Sequence, residues 1–168
     1  TLPSAAQKSE KFYDYNWKEC EPAMARFYST IEKTDSGYLH NDYFIHEQKL
    51  QMQGLYEDAD AKVKNGIFYF YHPNGVLQSV SRYVHGKLDG LYLEFHTNGA
   101  LSDSTVYQMG KPKGLSLGWT DEGYLSDSTF LNDDGSGTTV RWFGNGMPSE
   151  AGRFSAGMKM HGKWAFYH

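Results

Sequence analysis

The chain is poor in the residues that would staple, anchor or strongly charge it. Its 168 residues include one cysteine, Cys20. A lone thiol forms neither an intramolecular disulfide nor a multi-cysteine zinc site, so Cys20 reads as an ordinary or buried thiol. No run of 18 apolar residues occurs, and mean hydropathy is -0.64, so no segment has the character of a membrane-spanning helix. Proline is scarce at 5 against 18 glycines, which leaves most turns to glycine. Basic charge is also short: 16 Lys and Arg face 20 Asp and Glu, for a net charge of -4. Neither nucleic acid nor membrane lipid is expected as a partner of such a chain. Catalytic signatures are missing as well. There is no Gly-x-Ser-x-Gly, no P-loop, no Gly-x-Gly-x-x-Gly and no His-Glu-x-x-His. The expectation is a non-enzymatic protein without cofactor or metal.

Aromatic residues are abundant, at 16% of the chain with 13 Tyr and 10 Phe. That is too aromatic for disorder, and together with the glycine it favours strands and tight turns. The segment Gly66-Ile-Phe-Tyr-Phe-Tyr-His-Pro-Asn-Gly75 is followed 24 residues on by Gly90-Leu-Tyr-Leu-Glu-Phe-His-Thr-Asn-Gly99. A third copy runs from Gly114 to Gly123, a fourth begins at Gly137 with Asn145-Gly146, and a half-copy begins at Gly162. Leu101-Ser-Asp-Ser-Thr105 recurs intact as Leu125-Ser-Asp-Ser-Thr129. An apolar pair six residues apart closes the units: Leu77 and Tyr83, Leu101 and Tyr107, Leu125 and Leu131, Pro148 and Phe154. Leu50 and Tyr56 repeat the pair in a degenerate unit from about Leu39.

About 12 residues per strand and turn leave no room for a crossover helix. The period therefore predicts an all-β fold, an elongated antiparallel meander of β-hairpin repeats forming one twisted sheet of about 10–14 strands. Asn74-Gly75, Asn98-Gly99 and Asn145-Gly146 predict type I′ turns. His85-Gly86, Met109-Gly110 and Ala156-Gly157 make the second turns, and Asp133-Asp134-Gly135 predicts a bulge or longer loop. Alternation puts Ile67, Tyr69, Leu91, Leu93, Leu115 and Trp119 on an apolar band expected to be the core. Val140 and Trp142 continue it. The other face is mixed, with a shallow groove expected over Ser116 and Gly118.

Residues 1–38 read as an N-terminal cap on a repeat array spanning 39–168, with units near 39–65, 66–89, 90–113, 114–136 and 137–161 and a half-unit at 162–168. Residues 1–10 are polar and expected to be disordered. Strands are expected over Lys11–Trp17, Phe27–Lys33 and Tyr38–Ile45, with one helical turn after Cys20. His72, His96 and His168 share a repeat column, but copies two strands apart lie about 10 Å from one another, too far to share a metal ion. Asp103 and Asp127 share another column and read as solvent-facing. Asp58, Asp60, Asp133 and Asp134 fall in loops without the ligand series of a calcium site.

The unit Gly66, Tyr69, Phe70, Tyr71, Asn74, Gly75, Leu77, Tyr83, Gly86, Lys87, then Gly90, resembles the MORN repeat in its bacterial variant. Gly90 to Lys113 matches as well, with Gly110-Lys111, and the resemblance covers about residues 39–168. Many proteins with this variant carry an antitoxin label. Ala25-Arg26-Phe27-Tyr28 and Lys49 to Tyr56 resemble the leading segment of MORN-variant proteins from Bacteroidetes, which are often exported. A first residue Thr1 is compatible with a cleaved signal peptide or a trimmed chain. The resemblance implies a repeat scaffold that binds a protein or peptide, in the bacterial cell envelope or otherwise exported. The alternatives are a cytoplasmic antitoxin-like protein that blocks a toxin by contact, and a carbohydrate-acting enzyme. The candidate partner face is Phe68, Phe70, Tyr92, Glu94, His96, Arg141 and Phe143. The candidate edge contact, which would also serve self-association, is Trp164, Phe166 and Tyr167.

Overall fold

The computed structural model describes residues 8–167, and the protein is all-β. Two compact units form, one ending at Lys87 and the other beginning at Leu88. The first holds β1 (Lys8–Tyr13), β2 (Phe27–Thr34), β3 (Gly37–Phe44), β4 (Lys49–Tyr56), β5 (Lys64–Tyr71) and β6 (Leu77–Val84). A two-residue strand, β7 (Lys87–Leu88), lies at the junction. The second unit holds β8 (Gly90–Phe95), β9 (Leu101–Gln108), β10 (Lys111–Trp119), β11 (Leu125–Leu131), β12 (Gly137–Trp142), β13 (Pro148–Ser155) and β14 (Lys159–Phe166). Within each unit, successive strands pair antiparallel as a meander, as the period predicts. The only helical turn among the described residues is a 3-10 turn at Pro22–Met24.

The turns correct one expectation. At Asn74-Gly75 only the glycine has positive φ, at +88°. The Gly75 N–H donates to the His72 carbonyl at 2.8 Å, and the His72 N–H donates to Val76 at 2.9 Å. This is a type I turn ending in a left-handed glycine, followed by a register slip between Phe70 and Tyr71. Pro73 fixes the φ that a type I turn needs, and the Asn74 side chain accepts the Val76 N–H at 3.0 Å. Paired positive φ occurs instead at the second turns, His85-Gly86 and Met109-Gly110, and at Gly157-Met158, one residue beyond the expected place. Asn132 to Ser136 closes like the Asn-Gly turns, which gives the longer loop expected at Asp133-Asp134-Gly135.

The N-terminal end also differs in detail. Residues 1–7 lie outside the described residues, as does His168, whereas Lys8–Glu10 pairs with β2. β1 stops at Tyr13 because Asp14 closes a turn, its carboxylate accepting the Asn16 and Lys18 N–H groups at 2.8 and 3.0 Å. The boundary expected after residue 38 falls inside β3, so full eight-residue strands precede the recognisable repeats.

The expected core face is reversed. Ile67, Leu91 and Leu115 are each about half exposed, at 49%, 50% and 50%, while Phe68 on the mixed face is fully buried. The core cluster of the first unit is Met52, Tyr56 and Phe68, with Ala61, Phe70 and Tyr83 packed against it. Small polar residues share the inner face of each unit: Ser29, Ser79 and Ser81 are buried in the first, and Thr105 and Thr139 in the second. Side-chain polarity alone therefore misidentified the inner face.

Candidate functional site

Two cross-strand rows build the inner face of the first unit. Ile31, His40, Gly54, Phe68 and Ser81 lie opposite one another in turn. Beside them run Ser29, Asp42, Met52, Phe70 and Ser79. The Phe68 ring lies over Gly54, edge-on to Tyr56 and Tyr83 at 5.0 and 5.2 Å. Lys64 caps this cluster, its ammonium 4.8 Å from the Phe68 and Tyr83 centroids and 5.1 Å from that of Phe70. Burial pushes the Lys64 pKa down, with Asp42 opposing the shift.

Next to the cluster is a pocket of about 230 Å3, bounded by β1 to β4 and the loop after β4. Ser29, His40 and Asp42 are its most buried polar residues, at 3%, 5% and 7% exposure. The Ser29 hydroxyl donates to the Asp42 carboxylate. Burial raises the Asp42 pKa, against the Ser29 hydrogen bond and the Lys64 charge. Burial lowers the His40 pKa, Asp58 opposing and Lys11 reinforcing the shift. The His40 Nε2 is buried without a hydrogen-bond partner among the described residues. Tyr13 and Tyr56 line the walls, and burial raises both phenol pKa values. Ser29, His40 and Asp42 are not a nucleophilic triad, because the hydroxyl is bonded to the carboxylate and the imidazole activates neither. Sequence reasoning missed this pocket. Its signal was Ser29, His40 and Asp42 occupying inward positions of strands that otherwise alternate.

In the second unit the inner face carries a charged row. Glu94 lies opposite Asp103, Asp103 opposite Gly118, Gly118 opposite Asp127, Asp127 opposite Arg141 and Arg141 opposite Glu150. Asp103 and Asp127 are half-buried instead of solvent-facing, because both flank the bare Gly118 backbone. A Cβ on Gly118 would stand 2.2 Å from the Asp127 Oδ2, so the Asp127 carboxylate fills the groove expected there. Thr105 donates to Asp103 at 2.9 Å, and Ser126 donates to Asp127 at 2.9 Å. Burial, with Glu94 and Asp127 adding to it, raises the Asp103 pKa.

The candidate partner residues divide between the units. Phe68 is inaccessible and Phe70 is half-buried beneath Lys64, so both serve the core cluster of the first unit. In the second unit Tyr92 meets Tyr107 edge-on at 6.0 Å, and its pKa is raised by burial and by the Glu94 carboxylate. His96 Nε2 bonds the Trp119 carbonyl at 2.8 Å, which ties one repeat to the next. Arg141 pairs with Glu150 at 3.1 Å, and Phe143 is exposed. Trp164 packs over Gly152 and meets Phe154 at 5.4 Å, whereas Phe166 and Tyr167 are exposed. No protein-family model matches the chain, and no curated protein sequence matches it.

Proposed function

We propose that the protein is a non-enzymatic repeat scaffold that binds a protein or peptide partner, as its resemblance to MORN-variant proteins implies. The observation that carries this reading lies on the outer face of the second unit. Leu91, Val106, Leu115 and Phe130 come from four consecutive strands and are exposed at 50%, 42%, 50% and 48%. Leu91 lies opposite Val106, and Leu115 opposite Phe130. Thr105 lies opposite Ser116, so the residues following and preceding them share the other face. An apolar stripe of this kind on a sheet face is the character of an interaction surface. The test is capture from extracts of the source cells by the intact chain and by the double variant Leu91→Lys, Leu115→Lys. A species kept by the former and lost by the latter, with both folded by circular dichroism, is the expected result. Equal capture by the two, or none by either, refutes the reading.

A further inference from the structure

We propose that the pocket of the first unit is a binding site for a small organic cation, a one-ring primary ammonium or guanidinium compound, with Asp42 as its counter-ion. The inference is independent of the partner reading.

Charge decides the sign of the ligand. Among the described residues Asp42 has no ion-pair partner. The other charges on the wall are compensated: Lys11 by Glu19 at 3.7 Å and Asp60 by Lys62 at 2.9 Å. Lys64 lies over the neighbouring rings and does not line the pocket. A carboxylate at 7% exposure, held by the Ser29 hydroxyl with Lys64 beyond ion-pair distance, is costly to keep ionised, and an N–H cation offsets that cost by charge-assisted hydrogen bonds. His40 supplies a second polar group to the lining, and its buried Nε2 has no hydrogen-bond partner among the described residues.

The walls fit the rest of such a molecule. Tyr13, Tyr56 and Trp17 present aromatic rings, and Ile31 and Met52 add apolar surface. Aromatic faces attract cations in addition to packing on a ring. A volume of about 230 Å3 is below the range for drug-sized ligands and suits one ring with a short charged head. The rim is built in advance. Trp17 holds φ +57° inside the turn closed by Asp14 and stacks on Phe27 at 4.3 Å. Ala61, on the loop after β4, holds φ +57°, and the Asp58 carboxylate accepts the N–H groups of Asp60, Lys62 and Val63. Two non-glycine residues fixed in the left-handed region at one pocket are costly conformations that the surrounding hydrogen bonds impose.

Calorimetric titration of the full chain at about pH 7 with benzylammonium, benzyl alcohol and benzoate tests the proposal. Benzylammonium is expected to bind at least about tenfold more tightly than either analogue and to change Trp17 fluorescence. Asp42→Asn is expected to weaken benzylammonium about ten- to a hundredfold, the usual loss for a charged hydrogen bond, while Glu10→Gln leaves it unchanged. Equal or tighter binding of benzyl alcohol or benzoate overturns the proposal, as does undiminished binding by folded Asp42→Asn. Absence of binding by all three probes up to about 10 mM does the same. The ranking of probes on the unmodified chain decides the question should Asp42→Asn not fold.

Discussion

Replacing Phe68 with alanine tests the reversed face most directly. Phe68 has no exposed surface, and its ring lies on Gly54 between Tyr56 and Tyr83. Loss of a buried phenyl from a core costs about 3–5 kcal/mol, including the cavity it leaves. Two edge-on aromatic pairs are worth about 0.5–1.5 kcal/mol each beyond burial, and an ammonium over the ring adds about 0.5–1 kcal/mol. These terms overlap, so the expected cost is at the upper end of the cavity range, about 4–5 kcal/mol. A domain is stable by about 5–15 kcal/mol, so the first unit should lose much of its stability. Leu115→Ala supplies the control on the other face. Leu115 is half exposed, so about 1 kcal/mol is expected. Urea melts followed by far-ultraviolet circular dichroism and tryptophan fluorescence measure both, with midpoint and slope fitted separately. A Phe68→Ala cost no greater than that of Leu115→Ala would refute the assignment of the inner face.

Gly54→Ala should destabilise the first unit by about 1–3 kcal/mol in the same melts, because the added Cβ would stand 2.1 Å from the Phe68 ring. His40 has a folded pKa below its unfolded value, so its neutral form is favoured by folding and stability falls as pH drops through about 6.5. In His40→Gln that loss should be smaller when urea midpoints are compared between pH 7.5 and 5.5. Asp103 has a folded pKa above its unfolded value, so its ionised form opposes folding at neutral pH. Asp103→Asn, whose amide oxygen still accepts from Thr105, should raise the urea midpoint at pH 7, with the gain disappearing at pH 3. Self-association through the β14 edge predicts a concentration-dependent sedimentation coefficient that Phe166→Glu abolishes, since Phe166 is 59% exposed.

The period was legible because each strand and turn occupies a fixed length, and Gly66, Gly90 and Gly114 mark it without ambiguity. Strand positions in the repeats follow from it. The strands Phe27–Thr34 and Gly37–Phe44 were also visible, through β-branched and aromatic residues around a short turn. The buried face was not legible. Sequence alternation divides a strand into two sides, but it ranks them by polarity. Here the inner side carries Ser79, Ser81, Thr105 and Thr139, which leave room for a neighbour's larger side chain. The pocket was hidden for a related reason. Ser29, His40 and Asp42 are ordinary strand-surface residues by type, and only the register of β2 and β3 brings the Ser29 hydroxyl onto Asp42.

The repeat has a packing logic that accounts for both its fixed and its variable positions. The glycine that opens each unit lies opposite the apolar residue that closes it: Gly66 with Tyr83, Gly90 with Tyr107, Gly114 with Leu131 and Gly137 with Phe154. Gly66, Gly90 and Gly114 hold positive φ there, and a Cβ on Gly137 would stand 1.8 Å from the Phe130 carbonyl oxygen, so backbone geometry and not a covering side chain keeps these positions glycine. The strand-interior glycines follow a different rule, a missing side chain on one strand admitting a large one from the next. Gly54 lies under Phe68, Gly152 under Trp164 and Gly118 under Asp127. At Gly54 and Gly152 the covering residue is aromatic, and at Gly54 the result is the core cluster of the first unit. At Gly118 it is a carboxylate, and the same vacancy becomes a half-buried charge held by Ser126 beside Asp103. One backbone pattern therefore yields an apolar cluster in the first unit and an acidic row in the second, according to which side chain covers the glycine. Chemical variety along the strands thus enters through the residues opposite the strand-interior glycines, while successive strands within each unit keep their antiparallel pairing.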